Sequence, residues 1–140
     1  MNIDKLQAGR KLDIKVTKLM GWTPGVEDYE DGNGPVKLWL DERGNMIAYQ
    51  EDYWEIDAAC GRWSPSEDIS HADLIIDHLV TQGYAVTIYT GQYRDQGVKA
   101  RCCILRAGDL ATSDGVDAIA DTRPLAICRA ALKARERWGG

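Results

Sequence analysis

The sequence predicts an α+β fold, an α-β-α sandwich with an antiparallel sheet of about four strands covered by about three helices. Two observations carry this expectation. Two pairs of β-rich runs each flank a glycine-containing turn, and three stretches place apolar residues at helical spacing. Along the chain they alternate as helix, hairpin, helix, hairpin, helix, so two hairpins can join one sheet. A length of 140 residues fits a single domain over 1–140; chains of this size bury roughly two-thirds of their unfolded surface, enough for a core without staples.

The first helix is expected over residues 3–20. Leu12, Val16, Leu19 and Met20 form a stripe that Leu6 and Ala8 extend, with Lys11, Lys15 and Lys18 mainly opposite and Gly21 as a natural stop. Residues 23–35 (TPGVEDYEDGNGP) are turn formers and acids without an apolar period, which reads as a surface loop. Residues 36–40 (VKLWL) and 46–49 (MIAY) around a Gly44-containing turn read as a hairpin, with Tyr53, Trp54 and Ile56 continuing in extended or irregular form. Ser64-Pro65-Ser66-Glu67 has the pattern of a capping box with proline at the first helical position, followed by Ile69, Ala72, Ile75 or Ile76, Leu79 and Val80 on one face. That helix should end near Gly83. Residues 84–90 and 98–106 form the second hairpin, with Val86 and Ile88 facing one way on the first strand and Ala100, Cys102 and Ile104 on the second. Residues 107–121 are small and acidic, a long loop or a short extra element. A last helix runs from Pro124 to about Trp138 with Leu125, Cys128, Ala131, Leu132 and Arg135 along a seam.

Apolar residues make up 44% and charged residues 28%, as in ordinary soluble proteins. Lys5, Arg10, Asp13, Lys15 and Lys18 interrupt every early apolar stretch, so neither a secretory signal nor a membrane span is expected, and the cytoplasm is the default location. The net charge of −5 is uneven: +3 over residues 1–20, −8 over 21–57, −3 over 58–83 and +3 over the remainder. An acidic centre with mildly basic ends argues against general nucleic-acid binding but leaves room for a small anion held by a few local donors. Cys60, Cys102, Cys103 and Cys128 have no Cys-x-x-Cys spacing and no histidine nearby in sequence, so they read as reduced thiols, mostly small core residues, rather than a zinc site.

The helix start at Ser64 is the strongest candidate site. Free N–H groups and the positive end of the helix dipole would attract a phosphate, Arg62 lies two residues upstream, and Trp63 offers a flat face for a base. Arg62, Trp63, Ser64 and Ser66 are therefore the candidate ligand-binding residues, with Trp22 and Trp39 as further aromatic faces. The commoner use of such a start is an ordinary capped helix with Trp63 in the core. Five tryptophans (22, 39, 54, 63 and 138) and no phenylalanine suit half-exposed pockets and interfaces; core and interface use is more frequent than ligand stacking. Glu27, Asp28, Glu30 and Asp31 fail the EF-hand pattern and read as a solvated acidic loop. His71 and His78 lie seven residues apart, about 10 Å along one helix face, too far for one metal, and Asp68 and Asp77 beside them converge on no catalytic set. Gly32 and Gly34 belong to no Walker or dinucleotide motif. No metal, no cofactor and no enzymatic activity are expected.

Four segments resemble the phage ABA sandwich domain family: Ala8-Gly9-Arg10-Lys11-Leu12-Asp13, Met20-Gly21-Trp22, Trp63-Ser64-Pro65-Ser66-Glu67-Asp68-Ile69, and Pro124-Leu125-Ala126-Ile127-Cys128-Arg129-Ala130-Ala131-Leu132. Their order and approximate spacing match, so the resemblance covers most of the chain. It implies a layered α-β-α fold, a phage origin and the host cytoplasm, and it transfers no activity and no catalytic residues. The acidic stretch after Trp22 and the length of 107–121 depart from the family pattern. The expected function is that of a small non-catalytic phage accessory protein that binds a host protein or a small anionic ligand, such as a nucleotide withheld from a host defence. The alternative is a self-associating structural or interaction module with tryptophans in its subunit contacts; homo-oligomers fit both. An enzyme using Glu67, Asp68 or His71 on a nucleotide is the third reading.

Overall fold

The β-rich runs pair antiparallel as expected, but they build two sheets of three strands instead of one of about four. The computed structural model describes residues 2–28, 34–51, 62–106 and 115–139. Tyr53, Trp54, Ile56, Glu30, Asp31, Gly32, Cys60 and residues 107–114 lie outside them. The chain divides into two compact units, Met20–Trp63 and the combination of Met1–Leu19 with Ser64–Gly140.

In the smaller unit, β1 (Thr23–Asp28), β2 (Pro35–Leu40) and β3 (Met46–Tyr49) form a meander in that order. The expectation of a loop over residues 23–35 is thus corrected for its first half. Five of the six β1 residues are exposed and Gly25 is half-buried, so the strand has no apolar period to read. Its pairing with β2, from Thr23 opposite Leu40 to Asp28 opposite Pro35, makes it a strand. Gly25 is needed there: a Cβ on it would stand 2.5 Å from Cδ1 of Leu40. Asp41 closes the β2–β3 turn, its carboxylate accepting from the N–H groups of Arg43 at 2.8 Å and Asn45 at 2.9 Å, while Gly44 supplies φ of +82°. The apolar centre is Val36, Leu38 and Tyr49, with Leu40 against them.

The larger unit begins with a 3₁₀ turn, Ile3–Lys5, and then α1 (Arg10–Leu19). The expected single helix over 3–20 is broken because Gly9 sits at φ +148° and turns its N–H toward Ser66 Oγ, 2.9 Å away. Leu12, Val16, Asp13 and Thr17 are buried. α2 (Ile69–Thr81) buries Ala72, Ile75 and Leu79. The sheet is β4 (Tyr84–Tyr93), β5 (Gly97–Arg106) and β6 (Val116–Ala120), in that order. β6 is the short extra element anticipated within 107–121. Ala100, Cys102 and Ile104 of β5 are buried on one face, opposite Val86 and Ile88 on β4 as the alternation predicts.

α3 (Arg123–Trp138) starts at Thr122, whose hydroxyl accepts from the Leu125 N–H, and carries Arg135 and Arg137 at its negative end. Instead of a seam, every residue from Pro124 to Leu132 is buried, and Arg135 is exposed. The sheet covers one side of the helix and α1 and α2 cover others. Ala126, Ala130, Ala131 and Ala134 let these neighbours approach closely.

Gly115 precedes β6 with β5 pressed against it: a Cβ would collide with the Leu105 side chain and stand 2.6 Å from the Ile104 carbonyl oxygen. A main-chain atom inside a ladder has little room to retreat. Gly115→Ala should therefore cost about 1–3 kcal/mol, read as a lower urea midpoint with an unchanged slope.

Candidate functional site

The serine start meets an anion, but the anion is the chain's own. Glu67 and Asp68 donate their N–H groups to the Ser64 carbonyl at 3.0 and 2.9 Å, making one separate turn before the helix. Ser66 is fully buried and its N–H donates to Asp13 Oδ1 at 2.8 Å. The helix proper is capped four residues later than expected, by Asp68, whose carboxylate accepts from Ser70 N–H at 2.8 Å and His71 N–H at 3.3 Å. The capping-box reading is corrected for that reason: Asp13 on α1 takes the donor that an isolated helix start would present. His71 is also drawn in: it is half-buried, and its Nδ1 accepts from the Ser64 N–H at 3.0 Å.

Arg62 and Trp63 fall in the smaller unit, Ser64 and Ser66 in the larger. Trp63 is 3% exposed, its main-chain N–H donates to the Tyr49 carbonyl, and its ring lies 4.9 Å from that of Trp22 at a 45° tilt. Trp39 is likewise buried at 4%. Trp22 and Trp63 are thus brought together, while Trp39 sits on β2 next to Leu38 and on the opposite face of the strand.

A second constellation, missed in the sequence, lies wholly within the larger unit. α3 runs antiparallel to β6, and its cations at four-residue spacing reach alternate carbonyls of that strand. Arg129 Nη1 donates to Ile119 O at 3.1 Å, Lys133 Nζ to Asp117 O at 2.8 Å and Arg137 Nη1 to Gly115 O at 3.3 Å. The periods match, because four helical residues rise about 6 Å and two strand residues about 6.6 Å. Arg129 also donates from Nε and Nη2 to the Leu6 carbonyl at 2.9 and 2.6 Å, capping the N-terminal turn. Only the i, i+4, i+8 spacing of the three bases could have signalled this, and the same spacing occurs on any solvated helix face.

These groups border a cleft of about 430 Å³ lined by Asp4, Gln7, Lys99, Asp117, Asp121, Arg129 and Lys133, among others. Lys133 pairs with Asp4 at 2.6 Å, Lys99 with Asp121, and Asp117 is engaged by Arg101 at 2.8 Å. Asp121 is held below the usual carboxylate range by its hydrogen bond to Lys99, then by the charges of Lys99 and Arg129. Arg129 is 7% exposed, and its hydrogen bonds among the described residues all go to main-chain carbonyls. Three cations, Lys99, Arg129 and Lys133, thus face three carboxylates in the lining, and the most buried cation, Arg129, has no direct ion pair among the described residues. Such a cleft can hold a small polar anion by charge and hydrogen bonding. Among the described residues no group of three or more His, Cys, Asp or Glu is arranged to hold a metal, and no helix is long and apolar enough to cross a membrane.

The family model of the Phage ABA sandwich domain matches residues 16–132. Neither the curated proteins nor the solved structures contain a match to the chain.

Removing the buried acceptor at the α1–α2 junction should be costly: Asp13→Ala is expected to lower stability by about 1–3 kcal/mol, measured by denaturant titration. The thiols give a pH prediction. Burial pushes Cys102 from 9.0 up to about 12 and pushes Cys128 higher still, whereas Cys103 is half-buried. The folded state therefore keeps these protons longer than the unfolded chain does, so their contribution is complete below pH 9 and is lost as pH rises from 9.0 toward about 12. Alkylation near neutral pH should label Cys103 and spare Cys102 and Cys128 until the protein is unfolded, as mass spectrometry of the labelled peptides would show.

Proposed function

The chain belongs to the phage ABA sandwich domain family, and on that footing we propose that it is a non-catalytic accessory protein binding a small anionic ligand in the cleft beside β6. The observation that carries this reading is Arg129: a guanidinium 7% exposed at the cleft wall, bonded to uncharged carbonyls. A buried charge lacking a direct counter-ion favours an anion brought from outside. Lys99 and Lys133 flank it, and their own partners, Asp121 and Asp4, are 76% and 58% exposed. Carboxylates so open to water exchange readily for a phosphate or carboxylate of a ligand. The cleft volume suits a nucleotide-sized molecule, and in a host cytoplasm such binding would withhold that molecule from a host enzyme. The candidate site thus moves from the Ser64 turn, where Asp13 already holds the donor, to the α3–β6 cleft.

Calorimetric titration with nucleoside mono-, di- and triphosphates and cyclic nucleotides tests this. One class should bind and emerge chemically unchanged. Lys133→Ala should weaken it by about tenfold, the worth of one charge-assisted hydrogen bond, while Lys15→Ala on α1 leaves it alone. Failure of every anion to bind, or equal binding by Lys133→Ala, would sink the proposal.

A further inference from the structure

Two three-stranded sheets present four edges, and three of them carry the usual protections against pairing with another chain. β1 holds Pro24, Glu27 and Asp28. β3 has four residues and faces a register shift at Trp39/Leu40. β6 has five residues, and the α3 cations occupy its outward carbonyls. β4 differs. Its ten residues, YAVTIYTGQY, include no proline and no charge, and they pair with β5 over ten positions without a shift. Thr87, Tyr89, Thr90, Gly91 and Gln92 are exposed, Tyr89 at 54%. A long, uncharged edge without a bulge, rich in β-branched and aromatic residues, is a template for strand addition.

The hydrogen-bond parity of this edge follows from the far side of the sheet. Because α3 reaches the carbonyls of Gly115, Asp117 and Ile119, those residues turn away from β5, and Val116, Ala118 and Ala120 bond to Ile104, Cys102 and Ala100. The alternate β5 residues, Lys99, Arg101, Cys103 and Leu105, therefore bond to Gly91, Tyr89, Thr87 and Ala85. Val86, Ile88, Thr90 and Gln92 are left with main-chain N–H and C=O groups pointing outward.

We infer that the β4 edge, over residues 88–92, pairs antiparallel with the same edge of a second copy, making one continuous six-stranded sheet. Charge and edge count select this occupant. A strand without charge meets itself with no like-charge repulsion, and with β6 capped each copy offers one open edge of this sheet, so pairing closes at two subunits instead of growing into a fibre. The dyad opposes even-numbered residues to even-numbered ones.

Sedimentation equilibrium with residue-level amide exchange tests the pairing. The parent should dimerise at high micromolar concentration, and the Thr90 and Gln92 amides should gain protection as it does, whereas Tyr89 and Gly91 are protected at any dilution. Thr90→Pro removes an outward N–H and leaves the β5 ladder intact, so it should yield a folded monomer. Thr90→Lys, which sets like charges across the dyad, should weaken the dimer by about tenfold even if the proline variant misfolds. A parent that stays monomeric overturns the inference and leaves the edge to a strand of another protein. A dimer indifferent to Thr90→Lys, with unprotected Thr90 and Gln92 amides, overturns it equally.

Discussion

An α-helix advances about 6 Å in four residues and a strand about 6.6 Å in two. In this protein that near-coincidence lets three bases of α3 meet three carbonyls of the adjoining edge strand. Docking α3 along β6 in that register has several consequences for the larger unit. It lays the small face of α3 on the buried side of the sheet, over Ala100, Cys102 and Ile104. It places Arg129 where the same guanidinium also donates to the Leu6 carbonyl and holds the N-terminal turn. It also leaves α3 flanks for α1 and α2, and Asp13 ties α1 to the turn that precedes α2 through the Ser66 N–H.

Polar groups do unusual work in this unit. Asp13, Ser66 and Arg129 are buried, and each satisfies a main-chain group that burial would otherwise strand, while the buried Thr17 returns its hydroxyl to the Asp13 carbonyl within α1. Unsatisfied buried N–H and C=O groups cost about 1–3 kcal/mol each, so these side chains fix one arrangement of elements as firmly as the apolar contacts do. The same economy shapes the cleft. Arg129 is committed to carbonyls, so its charge is not cancelled by contact, in a cleft whose other charges, Lys99 and Lys133, are paired with Asp121 and Asp4.

The two ends of the larger sheet differ in physical character. At β6 the main-chain acceptors are taken by cations of the same chain, and at β4 the outward groups carry no such cover among the described residues. The charged end borders the cleft proposed for ligand, and the uncharged end is the surface assigned to a second copy. Binding and assembly would therefore occupy opposite edges of one sheet, with β5 between them.

Local pattern by itself determined the α+β class, both hairpins, the buried alternation of β5 and the existence of three helices, because each rests on periodicity within a few residues. The family resemblance was legible too, in four short segments, three of which fall inside the matched residues 16–132. Tertiary structure decided the rest. β1 became a strand only by pairing with β2, since five of its six residues are exposed and they show no apolar alternation. The helix start moved from Ser64 to Asp68 because Asp13, 53 positions away, accepts the Ser66 N–H. The seam of α3 broadened to its full girth once neighbours covered it on several sides. The cleft joins Asp4, Lys99 and Lys133, which no local window contains; a charge shows its meaning only when its partner is known, and partners distant in sequence are brought together by the fold.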